Sequence, residues 1–204
     1  MMRESVPARP YRGVAPDERR AQRRSRLIEA AIAVYGERGY RQATVKAVCE
    51  AAGLTERYFY ESFLNSEELL IASFNAVSVA IFEEVSAAAN QAGRSRKARA
   101  RAMLAAYFAM LQRDPRSARL CLVEMRGVSR DVEEAFDTVL RVLGREVAKM
   151  VSPPELQDDE LLQAGVVGGV THIALRWIQQ DCTPALEEVT ETALKLGMVL
   201  AGSR

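Results

Sequence analysis

The segment GLTERYFYESF at 53–63 places four aromatic rings within six consecutive positions. Glu56, Arg57 and Glu61 lie among the rings, so the segment also offers two carboxylates and a guanidinium. Such a run is compatible with three arrangements: a core plug, a surface on which bases stack, or a small helix that reads base edges. Each arrangement predicts a different kind of protein.

A helical arrangement divides this segment into two faces. At about 100° per residue, Phe59 and Phe63 fall together and are expected in a core. The opposite face carries a guanidinium that can bind guanine through two hydrogen bonds, carboxylates that can accept from cytosine, and a phenol that can reach a thymine methyl group or a phosphate. The side chains of this reading face are Glu56, Arg57, Tyr58 and Glu61.

The elements that must position the reading face form a helix-turn-helix. Thr44 precedes a short apolar helix and is a good N-cap. Gly53 permits the positive φ of a tight turn, and Thr55 is expected to cap a third helix that runs to about Phe63. A helix, a three-residue turn and a second helix are the outline of a DNA-reading motif.

Helical periodicity extends along the rest of the chain, and no strand pattern is convincing. Pro16 begins a first helix that Gly39 ends, and a long helix is expected after Asn65 or Ser66. Further helices are expected at about 96–112, 115–127, 130–151, 159–180 and 184–201, separated by Gly, Pro, Asp and Ser. The sequence therefore predicts an all-α fold of about nine helices, with a small head at 16–65 and a larger body at 66–204.

Positive charge is concentrated towards the N-terminus. Residues 1–60 hold 12 Lys and Arg against 7 Asp and Glu, whereas residues 61–204 hold 16 against 20. The basic side chains near Arg23 and Arg24 precede the first apolar helix face, where a polyanion is expected to dock. The arm at 1–15 suits a narrow minor groove, with a solvated tail as the alternative. The basic run Arg94 to Arg101 is either a solvated helix start or an anion contact.

The chain lacks the residue patterns of most catalytic and metal sites. It has one histidine and no G-x-S-x-G, Walker or H-E-x-x-H motif. Three cysteines without a C-x-x-C spacing are expected to be buried free thiols, with a redox-sensing pair as the alternative. We therefore expect no enzyme, no metal site and no cofactor. No window approaches the roughly 18 uncharged apolar residues of a membrane helix and no secretory signal is visible, so we expect a cytoplasmic protein without a membrane partner.

Residues 26–69 resemble the N-terminal domain of the tetracycline-repressor (TetR) family of bacterial transcription regulators. The resemblance follows the family pattern in order and register, and the remaining helices agree with the family's body in number and length. The matching positions are Ile28, Ala30, Ala31, Gly39, Tyr40, Thr44, Val48, Ala52, Gly53, Leu54, Thr55, Phe59, Tyr60, Phe63, Glu67 and Leu69.

The resemblance implies that the head binds double-stranded DNA. It also implies that the ring of Tyr60 packs inside while its hydroxyl reaches the DNA backbone. Ser62 and Ser66 stand where the family usually has residues that touch phosphate, so the N-terminal arginines are expected to supply part of the contact with DNA phosphate. The predicted DNA-binding residues are Arg23, Arg24, Thr44, Thr55, Glu56, Arg57, Tyr58, Tyr60, Glu61 and Ser66.

The body is expected to bind a second copy of the chain and a small molecule. The stretch at 161–178 is apolar nearly all round, which fits either a dimer contact or the central helix of a monomer's core. A two-fold dimer reads a palindrome, and the resemblance implies a four-helix interface. The predicted interface residues are Gly165, Gly168, Gly169, Ile173, Leu186, Ala193 and Gly197. The predicted pocket residues, each with a core role as the alternative, are Met103, Tyr107, Phe108, Met110, Met125, His172 and Trp177.

These observations predict a homodimeric, ligand-responsive transcription regulator, in which a small-molecule effector releases a repressor from a palindromic operator. The effector would move the fourth helix and misalign the paired heads. The alternative is a helical dimer that binds a small molecule or a protein without binding DNA, and Ser62 and Ser66 favour it.

Overall fold

The computed structural model describes residues 16–200, and within this range the chain is all α-helical with no strand. The predicted fold class is confirmed. The predicted arm at 1–15 and the predicted end of the last helix at Ala201 lie outside the described residues. The nine helices are α1 (Pro16–Arg38), α2 (Val45–Ala52), α3 (Glu56–Tyr60), α4 (Ser66–Gln91), α5 (Arg96–Arg113), α6 (Pro115–Arg119), α7 (Arg130–Val151), α8 (Glu160–Gln179) and α9 (Leu186–Leu200).

Local chemistry explains where most helices begin and end. The backbone N–H of Ala47 donates to Thr44 Oγ1 over 3.1 Å at the start of α2, as an N-cap should. Gly53 follows α2 in the left-handed region with φ 62°, a conformation that glycine adopts without steric cost. Asn65 Oδ1 accepts from the N–H of Glu68 over 2.9 Å and starts α4.

Two segments depart from the sequence prediction. The third helix ends at Tyr60 rather than Phe63, and Thr55 makes no side-chain capping bond. The helix expected at 115–127 is divided into α6 and a π-helical turn at Leu120–Glu124. A π turn admits an extra residue into the helical ladder and re-aims the side chains that follow it.

One apolar core runs from the head into the body. It includes Leu27, Phe59 and Phe63 of the head together with Phe108 and Trp177 of the body. A smaller core packs the far ends of α4, α5, α7 and α9 around residues such as Val85 and Met103. The head and the body therefore share one continuous core, so a change in the packing of the body can alter the packing of the head.

Candidate functional site

The buried side of α3 anchors it to the head. Phe59 is fully buried and Phe63 is 2% exposed, with their ring centroids 5.9 Å apart. The guanidinium of Arg24 lies over the ring of Phe63, 4.7 Å from its centroid. Arg26 Nη2 donates to the carbonyl of Ala52 over 2.6 Å and fixes the end of α2 beside the turn. The two phenylalanines therefore occupy the core positions that the periodicity predicts.

The opposite side of α3 presents polar groups to the surface. Thr55, Glu56 and Arg57 are exposed, as is Thr44 at the start of α2. Tyr58 is half-buried, because the guanidinium of Arg23 lies 4.6 Å above its ring centroid. The structure thus places the predicted base-reading groups at one surface but holds the Tyr58 ring under a cation.

Glu61 is engaged by arginines of the head itself. Its carboxylate accepts from Arg57 Nε over 3.0 Å and lies 3.7 Å from Arg23 Nη2. Arg20 Nη2 donates to the Glu61 backbone carbonyl over 2.9 Å. A cytosine amino group would have to compete with these partners, because the Glu61 carboxylate already binds two arginines of the head.

The expected burial of Tyr60 is wrong. Its side chain is 60% exposed, and its ring meets the edge of Phe59 with centroids 5.1 Å apart. Because Phe59 fills the core position of this turn, the adjacent residue is rotated out to solvent. Ser62 also differs from a free surface hydroxyl, since its Oγ donates to the Tyr58 carbonyl over 2.9 Å. Ser66 is half-buried as the first residue of α4.

Two basic residues near this surface were missing from the predicted DNA-binding set. Lys46 is 75% exposed on α2, 4.0 Å from Glu50, and its spacing from the buried Val48 and Cys49 would have identified it. Arg20 donates a hydrogen bond to the backbone carbonyl of Glu61. This contact joins α1 to the end of α3, and no local sequence pattern predicts it.

The body contains an apolar cavity of ≈ 160 Å³ among α4, α5, α7 and α8. Its walls are aliphatic and aromatic side chains, and no Asp, Glu, Lys, Arg or His belongs to the lining within the described chain. Phe74 and Phe136 stack at one part of the wall with centroids 5.3 Å apart. Four lining residues carry a polar side-chain atom: Ser78, Tyr107, Cys121 and Thr171.

Only two of the predicted pocket residues, Met103 and Tyr107, line this cavity. His172 is exposed, because the inward positions of α8 fall to its neighbours. Met110 lines a separate groove of ≈ 280 Å³ between the head and the body. The remaining predicted pocket residues are core residues at 0–2% exposure, namely Phe108, Met125 and Trp177. Helical spacing alone does not distinguish a side chain packed against a helix from one that borders a cavity.

Burial keeps the polar groups of the cavity neutral. It raises the pKa of Tyr107 far above its ordinary value, and the neighbouring Cys121 thiol adds to the increase. Burial likewise raises the pKa of Cys121. Neither group supplies a charge near neutral pH, so the cavity suits an uncharged or apolar portion of a ligand.

The π turn connects the cavity to the head. Cys121 and Leu122 border the cavity, while Glu124 of the same turn accepts the backbone N–H of Tyr40 over 2.7 Å. Glu124 also accepts from Arg119 Nε over 2.8 Å, and its side chain is only 10% exposed. A displacement of this turn by a ligand would therefore reach the loop that precedes the helix-turn-helix.

Further contacts join the two parts on either side of the π turn. Arg41 Nη2 donates to the Gly127 carbonyl over 2.6 Å. Within the body, Ser129 Oγ donates to Glu67 of α4 over 2.8 Å. Arg116 pairs with Glu37 at the end of α1. No local sequence signal predicts these pairs, because the partners lie far apart in the chain.

The predicted interface residues fall into two groups. Gly165 and Gly168 are exposed on α8, and a Cβ atom at either would meet nothing within 4 Å. Ala193 and Gly197 are instead buried within the protomer, so their assignment to an exposed interface is wrong. Gly169 packs against α9 within the protomer, where a Cβ would lie 2.5 Å from Leu196 Cδ2. Ile173 and Leu186 are half-buried and pack against the core.

Two helices, α4 and α8, are long and apolar enough to cross a membrane by length and composition. This finding corrects the expectation that no segment approaches that criterion. The apolar window of α4 is 39% buried and that of α8 is 22% buried. A core helix of a soluble protein passes the same test, and an α8 that is exposed in one protomer is what a contact with a second copy requires.

The basic run at 94–101 is partly used inside the body. Arg99 Nε donates to the Gly93 carbonyl over 2.7 Å, and Arg101 pairs with Glu191 of α9 over 2.6 Å. Arg94, Arg96 and Lys97 are exposed. Within the described part of the chain, no cluster of three or more His, Cys, Asp or Glu residues has a metal-binding arrangement.

Comparisons with known proteins agree with this geometry. Residues 27–73 match the family model described as bacterial regulatory proteins, tetR family. The fatty acid metabolism regulator protein of Bacillus subtilis (strain 168) is 21% identical over 177 residues, which cover 83% of this chain and 91% of the relative.

Solved structures share the fold along most of the chain. FadR from Bacillus subtilis in complex with stearoyl-CoA has a TM-score of 0.73 and 20% identity, with 88% of this chain and 99% of that chain covered. The fatty acid degradation regulator FadR from Bacillus halodurans has a TM-score of 0.70 and 22% identity, with 95% and 99% covered.

Proposed function

Because the chain belongs to the tetR family of bacterial regulatory proteins, we propose that it is a homodimeric repressor that leaves a palindromic operator when a small apolar effector enters the cavity. The observation that carries this proposal is the π turn. Cys121 and Leu122 border the cavity, and Glu124 of the same turn holds the Tyr40 backbone. Ligand site and DNA-reading head therefore share one structural element.

The head at 16–65 binds double-stranded DNA in this proposal. Its short α3 enters the major groove, and the exposed Arg57 and Glu56 meet base edges. Arg23 and Arg24 supply positive charge beside the groove, and Lys46 on α2 adds a further positive charge. The arm at 1–15 reaches the adjacent minor groove. On binding DNA, Arg57 exchanges its hydrogen bond to Glu61 for one to an acceptor on a base edge.

The body at 66–204 binds the effector and a second copy of the chain. Because the cavity wall has no charged side chain among the described residues, the part of the effector inside it is an uncharged aliphatic chain. The complex of the Bacillus subtilis relative with stearoyl-CoA supports an acyl chain, with any charged headgroup left outside the cavity. The exposed face of α8 around Gly165 and Gly168 supplies the contact between protomers.

The effector lowers DNA affinity because it binds one relative orientation of the paired heads more tightly than the other. An aliphatic chain in the cavity shifts the π turn and α4. The distance between the two heads then no longer matches the distance between the two operator half-sites. We place the protein in the cytoplasm, where operator DNA and acyl metabolites are both present. It carries out no chemical reaction on the effector.

Gel retardation of the DNA upstream of the protein's own coding region tests this function. The native protein should retard the fragment, and stearoyl-CoA or a shorter acyl-CoA should release it. Leu143→Trp, which fills the cavity, should still bind DNA but resist release. Val142→Trp is the matched control, because Val142 is 50% exposed and lies outside the lining. Absence of retardation at low salt, with or without ligand, would favour the module without DNA binding.

A further inference from the structure

Two hydroxyl groups on facing helices border the apolar cavity without a hydrogen bond inside the described chain. Ser78 on α4 is 5% exposed, and Tyr107 on α5 is half-buried and borders the cavity. The pKa of Tyr107 is raised by burial and by the nearby Cys121 thiol, and all three residues border the same cavity.

Two other hydroxyl groups on these walls and helices differ from Ser78 and Tyr107, because each bonds to a carbonyl of its own helix. Thr171 lines the same cavity but donates to the Val167 carbonyl of its own helix over 2.8 Å. The buried Ser73, on the same helix as Ser78, donates to the Leu69 carbonyl over 2.8 Å. A hydroxyl group that borders the cavity and has no partner on its own helix can bond to a ligand oxygen inside the cavity.

We propose that Ser78 and Tyr107 form a subsite for an uncharged oxygen, a hydroxyl or a carbonyl, on an otherwise aliphatic effector. Both side chains donate a hydrogen bond to that oxygen, and the aliphatic remainder packs against the surrounding walls. An ionised carboxylate does not fit this position, because no cationic side chain belongs to the lining within the described residues. The inference rests on the proposed function, in which this cavity holds the effector.

Binding of octanol and of octane to the full-length protein tests the subsite. The two probes have the same chain, and only octanol carries the oxygen. Calorimetric titration should show that Tyr107→Phe and Ser78→Ala each weaken octanol binding by about five- to tenfold, the worth of one hydrogen bond. Octane affinity should stay within about twofold in both variants. Thr192→Val removes an exposed hydroxyl outside the cavity and should leave both affinities unchanged.

The variants remove single hydroxyl groups and conserve the shape of the side chains, so thermal unfolding should show that they remain folded. Leu143→Trp should abolish binding of both probes and establishes that they enter the cavity. Unchanged octanol binding in the hydroxyl variants, or an equal loss for octanol and octane, overturns the subsite but leaves the effector cavity standing. Failure of both probes to bind the native protein overturns the subsite and the proposed effector class together.

Discussion

Replacement of Glu124 by alanine should loosen the head from the body. The carboxylate accepts the Tyr40 N–H through one oxygen over 2.7 Å and Arg119 Nε through the other over 2.8 Å. The side chain is 10% exposed, so water cannot readily replace it at the Tyr40 amide. Glu124→Ala leaves a backbone donor without an acceptor at the junction of the two parts.

The structure sets the size of the effect. A hydrogen bond to a charged acceptor contributes about 1.5–3 kcal/mol. The side chain of Arg119 is 45% exposed, so solvent screening limits its lost ion pair to less than about 1 kcal/mol. We therefore expect Glu124→Ala to lower the free energy of unfolding by about 2–3 kcal/mol. Glu134→Ala is the matched control, since Glu134 is exposed on α7, and its effect should stay within about 0.5 kcal/mol.

Two measurements check this expectation at one fixed protein concentration. Urea unfolding followed by circular dichroism gives the change in stability, and hydrogen exchange of the peptide that contains Tyr40 reports on the amide itself. Exchange at Tyr40 should accelerate in Glu124→Ala and stay slow in Glu134→Ala. If both variants unfold at the same urea concentration and Tyr40 exchanges at the native rate, the π turn does not hold the head.

Three further outcomes are expected. Glu61→Gln should tighten binding to nonspecific DNA and steepen its salt dependence, measured by fluorescence anisotropy, because it frees arginines that now pair inside the head; a native salt slope would contradict this. Gly168→Glu should lower the molar mass in light scattering without unfolding the protomer, whereas Gly169→Ala should leave the mass unchanged. An unaltered mass for Gly168→Glu would remove α8 from the interface. The free energy of unfolding should fall as pH rises above 9.0, the ordinary pKa of a thiol. The reason is that the unfolded chain then loses protons that burial retains on Cys121 and Tyr107. Chemical unfolding at stepped pH checks this, and Cys121→Ala should reduce the fall in unfolding free energy per pH unit.

Helix positions in this protein are largely a local property, and the sequence predicts them well. The cap at Thr44, the left-handed Gly53 and the cap at Asn65 each depend on chemistry within three or four residues. The two faces of α3 follow from helical rotation, which correctly places Phe59 and Phe63 in the core. The third helix ends early because a five-residue helix depends on its packing more than on its own capping.

The division of labour among side chains depends on contacts between helices. Helical periodicity alone does not show that Glu61 pairs with Arg23 of α1, that His172 turns to solvent, or that Ala193 is buried inside the protomer. A helix-facing position becomes core, cavity wall or interface only when the neighbouring helices are in place. The sequence thus determines the helices and the two faces of α3, whereas tertiary packing alone determines the cavity, the Glu61 arginine cluster and the Glu124 connection between them.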